Sequence, residues 1–122
     1  VSGTRSPVAL VLAGLSVLAG GCGTTFTVGG DDTLRVALSE YRVTPQDVRA
    51  SPGELTILVH NYGRLTHDLV ISLDGETLAS TKPIAPGQTE ELDTTLGPGR
   101  YLMASTILTD QALGAYGTLD VR

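Results

Sequence analysis

The sequence predicts an all-β sandwich of about seven to eight strands in one domain, and three observations carry that prediction. Apolar and polar residues alternate with period two in several short runs. Turn residues separate those runs at intervals of about ten residues, and no helical periodicity is long enough to compete. The chain has 122 residues. Once an N-terminal leader is set aside, that length suffices for a single modest core.

The first element is the leader, expected over residues 1–21. Residues 1–7 carry one charge, Arg5, and residues 8–19 form an apolar run broken only by Gly14 and Ser16. Such a run is shorter than the roughly 20 residues a bilayer span requires, but it suits the core of an export signal. It leads through Leu18, Ala19, Gly20 and Gly21 into Cys22, the only cysteine of the chain. These small residues before a lone cysteine resemble a bacterial lipobox, which implies a lipoprotein-type signal peptide and lipidation of Cys22. Ordinary signal-peptidase cleavage beside the small residues is the alternative. A single cysteine excludes an intrachain disulfide, so packing must supply the stability.

Residues 22–32 hold Gly23, Gly29, Gly30, Asp31 and Asp32 without periodicity and read as a flexible tether, which leaves residues 33–122 as the folded domain. Leu34, Val36 and Leu38 alternate with Arg35, Ala37 and Ser39, the pattern of a half-buried strand. A short strand fits residues 46–50, and Pro52 and Gly53 set the bend that follows. Residues 55–60 are β-rich and largely apolar, as suits a central strand. Asn61 to Gly63 end that strand, residues 67–73 supply the next, and Asp74-Gly75 is a strong turn pair. Residues 82–88 read as a connecting loop and residues 89–96 as an alternating strand. Gly97-Pro98-Gly99 then turns the chain into a strand over residues 100–105. After a loop whose only helical hint is one turn at residues 109–113, residues 117–121 make the last strand.

From residue 22 onward the chain carries 13 acidic against 7 basic residues, a balance of −6. That excludes a nucleic-acid partner, whose affinity depends on Lys and Arg neutralising phosphates.

Two stretches carry a family resemblance. The segment Tyr101-x-Met103-x-Ser105-x4-Asp110-x4-Ala115-x-Gly117-x-Leu119 lies without a gap over the cupredoxin pattern Tyr-x-Phe-x-Cys-x4-His-x4-Met-x-Gly-x-Leu. Upstream, Asn61-x-Gly63-x3-His67, preceded by Tyr41 to Pro45 and Pro52-Gly53, is similar to the first half of small bacterial cupredoxins. The resemblance covers about residues 34–121 and implies a Greek-key sandwich or barrel. In that family, a His from one loop and Cys, His and Met from another hold one copper ion. Here His67 matches the first ligand, while Ser105, Asp110 and Ala115 stand at the other three positions.

A blue-copper centre needs a thiolate and two imidazoles with a weak axial group. Ser105 offers a protonated hydroxyl, Asp110 a hard oxygen and Ala115 nothing, so no type 1 copper centre and no resident cofactor are expected. Met103 reads as a core residue and His60 as a surface or strand-end residue. The family frame makes His67, Ser105 and Asp110 converge, and a hydrogen-bonded polar cluster there would join the two loops without a cation. A residual Cu(II) or Zn(II) site on His67 and Asp110 is the alternative, although one imidazole and one carboxylate are few for tight binding. A Ser-His-Asp triad is disfavoured, because groups converging on one metal position would all address the same ring nitrogen of His67, and no Gly-x-Ser-x-Gly elbow surrounds Ser105.

Ile107, Leu108, Leu113, Ala115 and Tyr116 keep the second loop apolar. They form either a protein-docking surface, with Ile107, Leu108, Leu113 and Tyr116 as its contacts, or a cover for the end of the core. The expectation is therefore an exported, non-enzymatic, cupredoxin-like lipoprotein without type 1 copper. It would act as a binding or accessory module, anchored through its N-terminal lipid to the outer face of a bacterial membrane. A copper-binding member with a non-blue site at His67, linked to copper handling or electron transfer, is the alternative.

Overall fold

The computed structural model describes residues 24–122. The leader and Cys22 lie outside the described residues. Ten strands follow one another: β1 (Phe26–Thr27), β2 (Thr33–Ser39), β3 (Arg42–Thr44), β4 (Asp47–Ala50), β5 (Gly53–Asn61), β6 (Val70–Leu73), β7 (Glu76–Ser80), β8 (Thr89–Leu96), β9 (Gly99–Ala104) and β10 (Tyr116–Val121). They form a six-stranded sheet in the order β1-β4-β10-β9-β6-β7 and a four-stranded sheet in the order β3-β2-β5-β8. No helix occurs among the described residues, and residues 109–113 form turns only.

Alternation decides which face of each strand is buried. Leu34, Val36 and Leu38 of β2 and Leu55, Ile57 and Val59 of β5 point inward from the smaller sheet. They meet Val48, Ile71, Tyr101, Met103 and Leu119 from the larger one. Met103 is fully buried. β5 lies inside its sheet, paired in parallel with β2 and antiparallel with β8, which accounts for its apolar run. The Tyr101 hydroxyl donates to the Gly97 carbonyl at 2.7 Å and pins the turn into β9.

Two features depart from the sequence expectation. Among the described residues there are ten strands where about seven to eight were expected, because β1, β3 and β7 are short or lack a buried apolar face; in β7 no residue is buried. The segment expected to be a tether also contributes a strand. Phe26 and Thr27 pair in parallel with Val48 and Arg49, and Val28 N–H donates to the Arg49 carbonyl at 2.9 Å.

β2, β5 and β9 run toward one end of the sandwich, while β6 and β10 start there. Residues 62–69 and 105–115 therefore meet at that end. The turns at Pro52, Gly75 and Pro98 close the other.

Candidate functional site: a buried imidazole between two carboxylates

Backbone pairing fixes His67 before its side chain is considered. Its N–H donates to the Ile84 carbonyl at 3.1 Å and its carbonyl accepts from Ile84 N–H at 2.7 Å, an isolated antiparallel bridge. Asn61, fully buried at the end of β5, shapes the approach. Its amide donates to the carbonyls of Leu65 and Ile84, both at 2.8 Å, and its side-chain oxygen accepts from Gly63 N–H at 2.8 Å. These bonds satisfy the polar groups of a loop that would otherwise be costly to bury.

The imidazole itself is fully buried. Asp110 Oδ2 lies 2.6 Å from Nδ1, and Glu40 Oε2 lies 2.5 Å from Nε2. A carboxylate oxygen on each ring nitrogen calls for a proton on each, so His67 is read as an imidazolium. Burial opposes that charge, but the hydrogen bonds to Asp110 and Glu40, helped by their charges, outweigh it and hold the imidazole pKa above its ordinary value. Glu40 is held below the ordinary carboxyl range, first by the backbone N–H of Arg64 and then by His67, against a smaller opposing push from burial.

The structure brings Ser105 and Asp110 beside His67, but Ser105 does not address the ring. Its hydroxyl donates to Asp110 Oδ2 at 2.6 Å, and its oxygen accepts from Asp68 N–H at 3.2 Å. The expected convergence of all partners on one ring nitrogen is thus not what the geometry contains: Asp110 takes one nitrogen and Glu40 the other. Ala115 is buried. Its carbonyl accepts from Ser105 N–H, and its N–H donates to the Asp110 carbonyl, both at 3.0 Å. Its backbone closes the loop where a ligand side chain stands in the family pattern.

Glu40, Gly63 and Asp68 were not legible as site residues. Glu40 sits just beyond β2 and reaches across to accept from Arg64 N–H at 2.8 Å and Leu65 N–H at 3.4 Å. Gly63 makes room for it, since a Cβ there would stand 2.0 Å from Glu40 Oε2 and 3.0 Å from His67 Nε2. Asp68 accepts from Thr106 N–H at 2.6 Å and from the Thr106 hydroxyl at 2.9 Å, tying the two loops together a second time. The one signal that pointed this way was Gly63 itself, which the sequence offers as a turn residue and as a member of the Asn61-x-Gly63-x3-His67 match.

Among the described residues, no group of three or more His, Cys, Asp or Glu side chains is placed to hold one ion. Glu40 and Asp110 oppose each other across the ring, so the three side chains do not share a centre. A metal at either ring nitrogen would have to displace a carboxylate.

The remaining residues of the second loop divide by exposure. Leu108, Leu113 and Tyr116 are exposed, Leu108 at 94 %, while Ile107 is half-buried and Ala115 contributes nothing to the surface. His60 lies apart from the cluster, with Nδ1 2.6 Å from the Thr89 hydroxyl and its ring 4.2 Å from that of Tyr62.

No protein-family model and no curated protein matches the sequence. Solved structures do match the architecture. An auracyanin from Roseiflexus castenholzii, reduced with dithionite, superposes with a TM-score of 0.68 at 20% identity, covering 77% of this chain and 99% of its own. The blue copper protein auracyanin A from Chloroflexus aurantiacus gives 0.63 at 16% identity, covering 79% and 99%. An azurin from Methylomonas sp. strain J gives 0.64 at 13% identity, covering 74% and 97%. Two packed sheets, a histidine loop and a second loop between the last two strands, together with these superpositions, establish that residues 24–122 have the cupredoxin fold.

Proposed function

We propose that this chain is an exported cupredoxin-like lipoprotein, anchored at Cys22, that lacks a type 1 copper centre and serves as a binding or accessory module at the outer face of a bacterial membrane. The observation that carries the reading is the Asp110–His67–Glu40 arrangement. Both nitrogens of His67, the one residue that matches a family ligand, are committed to carboxylates, and the two loops are joined by hydrogen bonds in place of an ion. The donor set supports it as well. One imidazole, two carboxylates and a hydroxyl do not fit an ion that wants a thiolate and two imidazoles. No catalytic residue is assigned, because Ser105 bonds to Asp110 and not to the imidazole, the reverse of the order a triad requires.

The second reading, an altered copper site, draws on the copper proteins among the structural neighbours. A titration of the chain with Cu(I), Cu(II) and Zn(II) separates the two. It is run in a Cys22→Ser background, so that the single thiol cannot compete, and repeated with His67→Ala. Absent or equally weak binding in both chains is expected. Binding tighter than micromolar that disappears with His67→Ala would replace the first reading with the second.

A further inference from the structure

We propose that the end of the sandwich carrying residues 62–69 and 105–115 is the face that lies against the lipid bilayer. Leu65, Leu108 and Leu113 would enter the headgroup boundary, with the neighbouring tyrosines at its level. The inference rests on the reading of the chain as membrane-anchored at its N-terminus, and the strand topology gives that anchor a direction. β1 is parallel to β4, and β4 to β10, so β1 runs away from the end at which β10 begins. Phe26 is level with Val48 and Leu119, three residues along from Tyr116. The chain preceding Phe26 therefore comes in from the side of the site. Cys22 lies four residues before Phe26, and four residues span at most about 14 Å.

The surface at that end suits a lipid interface. Among the described residues eight large apolar side chains are exposed, and six of them, Tyr41, Tyr62, Leu65, Leu108, Leu113 and Tyr116, belong to this end. The Gly114 turn lies against the Tyr41 backbone and brings the two groups together. Leu108 is the most exposed of all, and its backbone is left-handed, with φ of 53°. A leucine held in that conformation costs stability, and its side chain touches little within the domain to offset the cost. Tyrosines around a leucine tip are the composition of a membrane-interface contact.

Charge follows the same axis. The exposed charged side chains of the site-end loops are Arg64 and Lys82, with Arg42 at the start of β3. Of the carboxylates of this end, Glu40, Asp68 and Asp110 are turned onto His67 or Thr106, while Asp47, exposed at the start of β4, accepts from the Thr118 hydroxyl. The opposite end exposes Asp31, Asp32, Glu54, Asp74 and Glu76, against Arg49, Arg100 and an Arg122 that is paired with Asp120. A domain so polarised would turn its cationic, apolar end toward anionic headgroups and its acidic end away.

The chain has no tryptophan, so a single introduced one reports its own position. The lipidated chain from Cys22 onward, as Leu108→Trp or as Glu76→Trp at the far end, is reconstituted into phosphatidylcholine vesicles containing some phosphatidylglycerol and brominated acyl chains. Both positions are exposed, so neither substitution disturbs the core. Emission from Leu108→Trp should be quenched several-fold more than that from Glu76→Trp, and blue-shifted. Equal quenching, or none at position 108, overturns the orientation. A blue shift at 108 in native membranes without quenching in the lipid vesicles overturns it too, and assigns the surface to a protein partner. The anchor is tested separately by Cys22→Ser. If that variant sediments with membranes as fully as the parent, lipidation is rejected, while the quenching comparison still decides the orientation.

Discussion

His67 is held from both sides, and its neighbours predict how it behaves. His67→Ala removes the cation between two carboxylates and leaves Asp110 buried with Ser105 as its remaining side-chain partner. Breaking a buried pair in this way costs about 3 kcal/mol, far more than an exposed ion pair would; denaturant melts of parent and variant check it. The imidazole pKa is raised, so its contribution is complete below the ordinary value of about 6.5 and is lost as pH climbs through the raised one. The Glu40 pKa is lowered, so its contribution is present above the ordinary carboxyl value and is lost as pH falls through the depressed one. Unfolding midpoints measured against pH should form a plateau between those limits, and Glu40→Gln should move the alkaline edge to lower pH. An edge that stays in place would mean Glu40 does not hold the proton. Gly63→Ala should act through the same route, because its methyl occupies the space of the Glu40 carboxylate. NMR titration of the His67 ring should then show a pKa closer to the ordinary one.

At the level of elements, the strands that could be read from the sequence are those that bury one face. Leu34, Val36 and Leu38 announce β2, and the run from Leu55 to Val59 announces β5. β3 and β7 escaped notice because three residues hold too little alternation and an unburied edge strand has no reason to alternate. Close packing between β4 and β10 was equally hidden. A Cβ on Gly117 would stand 2.3 Å from the Gln46 carbonyl oxygen, and that carbonyl already accepts from Thr118 N–H at 2.7 Å. Gly117→Ala must therefore push the two strands apart, at a cost of about 3 kcal/mol by analogy with overpacked cores. Thermal melts would register it, and amide exchange should quicken along both strands. Leu108→Gly should do the opposite. It relieves a left-handed backbone angle without uncovering core and should stabilise the isolated protein by up to about 1 kcal/mol.

Across the whole molecule, the sequence was informative where the family pattern supplies a frame and silent where this chain departs from it. Ser105, Asp110 and Ala115 could be placed on one loop because their spacing is that of the pattern. Glu40 could not, since it reaches His67 from 27 positions away and falls between the alternating run that ends at Ser39 and the Tyr41 to Pro45 segment, belonging to neither. A contact that closes a site without a metal leaves no ligand-type residue to search for. Asp68 was hidden for a similar reason, as its partner Thr106 lies 38 positions along the chain.

The two-residue pairing of β1 has a mechanical consequence. Any pull on the N-terminal chain is borne first by Phe26 and Thr27 against β4, with one further bond at Val28. Both paired side chains are exposed, and Val28, half-buried against the core, is the one apolar side chain uncovered when they let go. β1 is then a slipping clutch. Under load it would release before any core strand and pay out residues 26–32, about 24 Å of extended chain, while the sandwich stays folded.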